Sequence, residues 1–179
     1  LGCNEDELDI LNHNIISTST CDATAISPIF KSLHKYLGIK NGYVTTLHPW
    51  LSYQNLMDGP SSSWAVPGEI YHHYALGRSV IGNLIPKPTS AVEVTFKSFK
   101  DIDIKNIGSF SYRTPTAIVC SADITLNVNK KTNINDLKNF FYELQKKQNN
   151  NIFNNTNEPL VSLDILKSNF SCTIDHRWT

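Results

Sequence analysis

Residues 18–37 read TSTCDATAISPIFKSLHKYL, a polar lead-in followed by Ile26, Ile29, Phe30, Leu33, Tyr36 and Leu37 recurring at three and four. That is the pattern of a one-sided helix, and Gly38 is suited to stop it. The same stretch sets Cys21 at the helix mouth, where unpaired backbone N–H groups and the positive end of the helix dipole favour thiolate over thiol. Pro28 is comfortable only in a first turn. The helix therefore either starts near Ser27 or starts at Cys21 and bends at Pro28. Taken alone, the stretch reads more readily as holding a buried, inert cysteine than a nucleophile.

Outward from this helix the elements alternate. Upstream, residues 1–14 are polar and acidic, and Ile15-Ile16 reads as a short strand leading into the cysteine turn. Downstream, Gly42-Tyr43-Val44-Thr45-Thr46-Leu47-His48 is β-branched and aromatic, a strand with His48 at its exit. Residues 49–77 carry Pro49, Pro60, Pro67 and a serine cluster, which predicts a long irregular segment; its part 61–77 is expected to serve as an extended interface loop. Thr89 to Phe99 has helical spacing. Ser109–Arg113 and Ala117–Val128 are strand-like, and residues 133–147 form a second clear helix with Asn133 and Asp136 at its start. The Asn-rich tract Lys146–Asn157 reads as a loop, and Leu160–Asp164 and Phe170–Asp175 as short strands. Several strands with segregated helices predict an α+β domain, with helices on one face of a mixed, largely antiparallel sheet.

The 179 residues are enough for one domain spanning 1–179, and 40% are hydrophobic, so a sizeable core is available. Sixteen Lys and Arg balance sixteen Asp and Glu, which points away from nucleic acid and acidic membrane surfaces. Cys3, Cys21, Cys120 and Cys172 show no CxxC pair and no metal-ligand spacing; Cys3, Cys120 and Cys172 read as packing residues. The adjacent His72 and His73 point in different directions with no third ligand evident, so no metal is expected there. No apolar run is long enough to span a membrane, and a reducing, cytoplasmic setting is expected. The chain opens without Met and reads as a piece of a longer protein.

Three stretches together carry chemistry: STSTC around Cys21, GYVTTLH ending in His48, and FSYRTPT around Arg113. A cysteine at a helix start and a histidine closing a strand suit a thiolate–imidazolium pair, and an arginine among threonines suits a phosphate. Here the chain resembles the glyceraldehyde-3-phosphate dehydrogenase family, in its C-terminal catalytic domain. Thr20-Cys21-Asp22-Ala23-Thr24 stands where the family has Ser-Cys-Thr-Thr-Asn. Gly-x-x-Thr-Thr-x-His is intact at Gly42, Thr45, Thr46 and His48. Gln54, Asp58-Gly59-Pro60-Ser61, Gly77-Arg78, Asn83-Leu84-Ile85-Pro86, Thr89 and Arg113-Thr114-Pro115-Thr116 follow in family order.

The resemblance implies aldehyde oxidation: Cys21 forms a thiohemiacetal, His48 takes the hydroxyl proton, hydride passes to NAD or NADP, and phosphate or water releases the acyl group. It implies that Thr20, Asp22, Thr89, Ser90, Arg113 and Arg78 border the substrate and its phosphates. It also implies a phosphorylated aldehyde substrate and a homotetramer in the intact protein. The cofactor would be bound mainly by a domain outside this chain, which contains no Gly-x-Gly-x-x-Gly. Departures from the family pattern are Asp22 for the threonine that contacts inorganic phosphate, Thr24 for asparagine, Leu51 for threonine, Ser90 for glycine, and a longer loop from Ser61 to Gly77. A carboxylate at Asp22 repels phosphate and works against the thiolate. The alternative to the enzyme is a catalytically impaired, family-derived domain acting as an oligomerisation or binding module.

Overall fold

The computed structural model describes residues 2–52, 54–60, 62–66, 69–72, 74–98 and 101–179. In chain order the elements are α1 (Cys21–Leu37), β1 (Ile39–Pro49), β2 (Ser62–Val66), β3 (Glu69–His72), β4 (Ile85–Lys87), α2 (Ala91–Lys97), β5 (Ile107–Thr114), β6 (Ser121–Val128), α3 (Ile134–Lys147), β7 (Phe153–Thr156) and β8 (Cys172–Asp175). The main sheet has the order β4-β5-β1-β6. β1 runs parallel to β5 and antiparallel to β6, and β4 is antiparallel to β5. The fold is therefore α+β on a mixed, mostly antiparallel sheet. No helix among the described residues is long and apolar enough to cross a membrane.

Alternation along β1 decides where the core lies. Val44, Thr46 and His48 are buried, while Tyr43 and Leu47 on the opposite face are exposed. Against the buried face pack Ile26, Phe30, Leu33 and Leu37 of α1, Val92 and Phe96 of α2, and Phe141 of α3. Phe30 meets Phe96 edge-on at 5.7 Å, and Tyr36 stacks on Phe140 at 4.3 Å. Gly42 of the intact strand motif has a spatial reason to be glycine. A Cβ there would lie 2.5 Å from both the Thr125 carbonyl oxygen and a Leu126 methyl of the neighbouring β6.

Several expectations are corrected by these elements. Of the two starts left open for α1, the structure has the one at Cys21, with a buried Pro28 in the helix interior. Ile15-Ile16 forms no strand; both side chains are exposed, and among the described residues no strand pairs with them. The helix read over Thr89–Phe99 is shorter, Ala91–Lys97, and Phe99 lies outside the described residues. Within the segment 61–77 the described residues include an antiparallel pair, β2 with β3, rather than only irregular chain, and His73 lies outside them. The Asn-rich tract contains β7, which pairs parallel with β8. Its asparagines are integrated: Asn155 donates to the Phe141 carbonyl at 3.1 Å and to Gln145 at 2.7 Å. Gln148 accepts the Phe153 N–H at 2.7 Å. Leu160–Asp164 is not a strand; a 3-10 turn occupies Ser162–Ile165.

Candidate active site

One end of the main sheet gathers the chemistry. β1 ends beside β5 with His48 opposite Arg113, and β6 begins at Ser121, opposite Leu47. The N-terminus of α1 points to the same place. Thr20 is its extended N-cap, and the Thr20 carbonyl accepts the Thr24 N–H at 2.8 Å. Cys21 is exposed in the first turn, while Asp22 beside it is buried.

Asp22 Oδ2 forms a buried ion pair with Nε2 of His48, which is itself 7% exposed. On the other side of the ring, Nδ1 lies 3.7 Å from the Cys120 sulfur. When the imidazole is neutral, an Nε2–H donated to the carboxylate leaves Nδ1 as the lone-pair nitrogen facing the Cys120 thiol. The ligand-bearing atoms of Cys21, Asp22, His48 and Cys120 all lie within 4.8 Å of one another. Thr114 fixes the backbone here, its hydroxyl donating to the His48 carbonyl at 2.9 Å. Arg113 donates from Nη1 to the Pro49 carbonyl at 3.0 Å. A groove of about 1050 Å³ opens beside Cys21, Asp22 and Cys120 and runs along Ala25, Ile29 and Leu33.

Charge is distributed unevenly. Burial works against ionisation of Asp22, but the hydrogen bond and positive charge of His48, aided by Cys21 and Thr46, outweigh it and hold the carboxyl below its ordinary range. Cys120 is an exposed residue, yet its thiol loses hydration against these neighbours. That loss, followed by the Asp22 carboxylate and Cys21, pushes it up to about 12, with Arg113 pulling the other way. Lys87 on β4 also belongs to this neighbourhood. Burial and then Arg113 lower it, and Asp22 and Cys21 partly restore it.

The fold thus brings together Cys21, Asp22 and His48, with Thr20 and Arg113 alongside. Thr89 and Ser90 sit at the start of α2, where the Thr89 hydroxyl accepts the Ala91 N–H at 3.1 Å. Arg78 is paired instead with Asp58 at 3.2 Å, both exposed. Cys120 is not the plain packing residue expected, since it faces His48. The missing signal was register: with Leu47 opposite Ser121, residue 120 must fall beside His48, but nothing in the sequence says that β1 pairs with β6. Val119 turns the chain just before, at φ +72, an uncommon conformation for a β-branched residue. Lys87 was missed for the same reason, because only the β4–β5 pairing sets it opposite Ser111.

The family described as "Glyceraldehyde 3-phosphate dehydrogenase, C-terminal domain" matches residues 20–179. The cytosolic glyceraldehyde-3-phosphate dehydrogenase of Chlamydomonas reinhardtii is 29% identical over 175 residues, 98% of this chain and 48% of that protein. The enzyme of the same name from Priestia megaterium is 30% identical, covering 98% of this chain and 49% of its own. Glyceraldehyde-3-phosphate dehydrogenase 1 of Bacillus subtilis is 29% identical at the same coverage. The chain spans about half the length of the curated relatives it matches.

Proposed function

Because the chain belongs to the glyceraldehyde 3-phosphate dehydrogenase C-terminal domain family, we propose that it is the catalytic half of a dehydrogenase acting on a phosphorylated aldehyde. The observation that carries this reading is the meeting of Cys21 at the start of α1 with His48 at the exit of β1, their reactive atoms within 4.8 Å. The Cys21 thiol proton passes through His48 to the aldehyde oxygen as the sulfur adds to the aldehyde carbon, and His48 takes that hydroxyl proton of the thiohemiacetal when the carbon is oxidised. Backbone N–H groups at the α1 start supply donors for the oxyanion. Arg113, with Thr20, Thr89 and Ser90, provides the phosphate contacts, and Arg78 is the weakest member of that set because Asp58 already engages it.

A nicotinamide cofactor, NAD or NADP, supplies the hydride acceptor in this chemistry. These residues do not cradle it: the three described α-helices open on Thr20, Ser90 and Asn133, none on a glycine-rich turn. The cofactor would be bound mainly outside this chain. The same reading puts the intact protein in the cytoplasm as a homotetramer, with the β2–β3 arm at a subunit contact.

Alkylation tests the nucleophile directly. Iodoacetamide at neutral pH should label Cys21 rapidly, and His48→Asn should slow that labelling. Cys120 and Cys172, both pushed up to about 12, should react about fifty-fold more slowly than a free cysteine, the lower thiolate fraction being partly offset by higher intrinsic nucleophilicity. An ordinary thiol rate at Cys21, indifferent to His48, overturns the reading.

A second reading, an impaired family-derived module, has one observation in its favour: Asp22 already holds the nitrogen of His48 that faces α1. Asp22→Thr in the full-length protein discriminates between the two. Removing a carboxylate from beside an attacking phosphate relieves roughly 1.4 kcal/mol or more of repulsion, so phosphate-dependent turnover should rise about tenfold. No rise removes Asp22 as the obstacle to phosphorolysis.

A further inference from the structure

Four metal-binding side chains from three separate parts of the chain converge on one point beside the proposed nucleophile. Cys21 and Asp22 come from the first turn of α1, His48 from the end of β1, and Cys120 from the residue before β6. We propose that Cys21, Asp22, His48 and Cys120 form a binding site for a single zinc-class divalent cation. This goes beyond aldehyde chemistry and opposes it, because a cation on the Cys21 sulfur occupies the electron pair that carbonyl attack needs. Metal occupancy would therefore switch off the thiol.

The donor set is the first argument. Two thiolates, an imidazole and a carboxylate match the tetrahedral sulfur, nitrogen and oxygen ligation of zinc; magnesium and calcium, which take oxygen ligands, are disfavoured. Spacing is the second. A tetrahedral zinc ion with bonds of about 2.3 Å to sulfur and about 2.0–2.1 Å to nitrogen or oxygen separates its ligand atoms by about 3.4–3.8 Å. No pair exceeds 4.8 Å, so the widest closes by about 1 Å through side-chain rotation. The direct contact between Asp22 and His48 must open by a similar amount to admit the ion.

Asp22 supplies the independent observation. It is 6% exposed, both of its carboxylate oxygens are buried, and neither receives a hydrogen bond of normal geometry beyond the ion pair with His48. A buried carboxylate held beside an imidazole and two sulfurs supplies the oxygen donor of such a site. Asp22 and His48 form the buried back wall, while Cys21 and Cys120 are exposed and give the ion a way in from solvent. The balance is simple. Zinc enters as a dication, the two thiols release two protons to solvent, His48 binds neutral, Asp22 binds as carboxylate, and no redox change occurs. The resulting site carries one net negative charge, and Arg113 and Lys87 lie close enough to offset it.

The test is titration of the full chain, reduced and under anaerobic conditions, with a cobalt(II) salt as a spectroscopic stand-in, followed by zinc. One equivalent of cobalt should produce the visible bands of a tetrahedral ion together with near-ultraviolet thiolate charge transfer, and one equivalent of zinc should remove both. Cys120→Ser should halve the charge-transfer intensity and weaken binding by about 100-fold or more. The shape-conserving Asp22→Asn should weaken it at least about tenfold. In the wild-type chain, one equivalent of zinc should protect Cys21 from iodoacetamide, with a chelator restoring labelling. Absence of a tetrahedral spectrum at one equivalent, or a spectrum unchanged by both Cys120→Ser and Asp22→Asn, overturns the proposal. The spectrum is read without any substrate, so a negative result leaves the reading of Cys21 as a nucleophile standing.

Discussion

On the proposed reading, His48→Asn in the full-length protein is expected to lower kcat for oxidation of a phosphorylated aldehyde by about 10²–10⁴-fold, with KM little changed. The size follows from the role. A positioned base removes the thiohemiacetal proton only in the chemical step, so its loss falls on kcat and not on binding. Asparagine has nearly the same size and offers a side-chain N–H toward Asp22, but it cannot take a proton. The substitution also acts on the fold, because Asp22 is buried and His48 is its ion-pair partner. Removing one member of a buried pair costs about 3–5 kcal/mol when nothing replaces it, and the asparagine amide recovers part of that. Activity should therefore be compared below the melting transition of the variant, with the melt recorded for both proteins. A fall in kcat under about tenfold, in a variant that is folded, removes His48 as the base.

That experiment probes a pair whose members were visible in the sequence while their relation was not. Cys21 at a helix start and His48 at a strand exit follow from local pattern, and α1 and β1 cover the residues that pattern marked, extending to Cys21 and to Ile39–Pro49. The identity of Asp22 was equally plain, and its repulsion of phosphate follows from charge alone. Its engagement with His48 required the tertiary placement of α1 against β1. Cys120 shows the same limit more sharply, because its neighbourhood is set by the register between β1 and β6, strands separated by some seventy residues. The Asn-rich tract misled for a different reason. Asparagine has low β propensity, so Phe153–Thr156 lacks a strand signal, but the Asn155 side-chain amide bonded to α3 and the Phe153 backbone N–H bonded to the Gln148 side chain hold the segment beside β8. Local propensity was overridden there by hydrogen bonds that only the folded chain supplies.

The apolar face of α1 makes the remaining large effect calculable. Phe30 is fully buried at the centre of the main cluster, between Ile26 and Leu33 on its own helix and edge-on to Phe96 of α2. Phe30→Ala should destabilise the chain by about 3–5 kcal/mol, the sum of lost transfer free energy and a cavity that rigid neighbours cannot fill. About 0.5–1.5 kcal/mol of this belongs to the edge-to-face contact with Phe96, so Phe96→Ala in the Phe30→Ala background should cost less than Phe96→Ala alone. Urea unfolding measures both, and a lower midpoint at unchanged slope identifies a change in the folded state. A loss below about 1 kcal/mol would mean that α1 is not anchored through Phe30. The consequence reaches the site, because the same helix carries Cys21 and Asp22 in its first turn. A loosened α1 should weaken the Asp22–His48 contact, so His48-dependent labelling of Cys21 should fall under conditions where the variant is still folded.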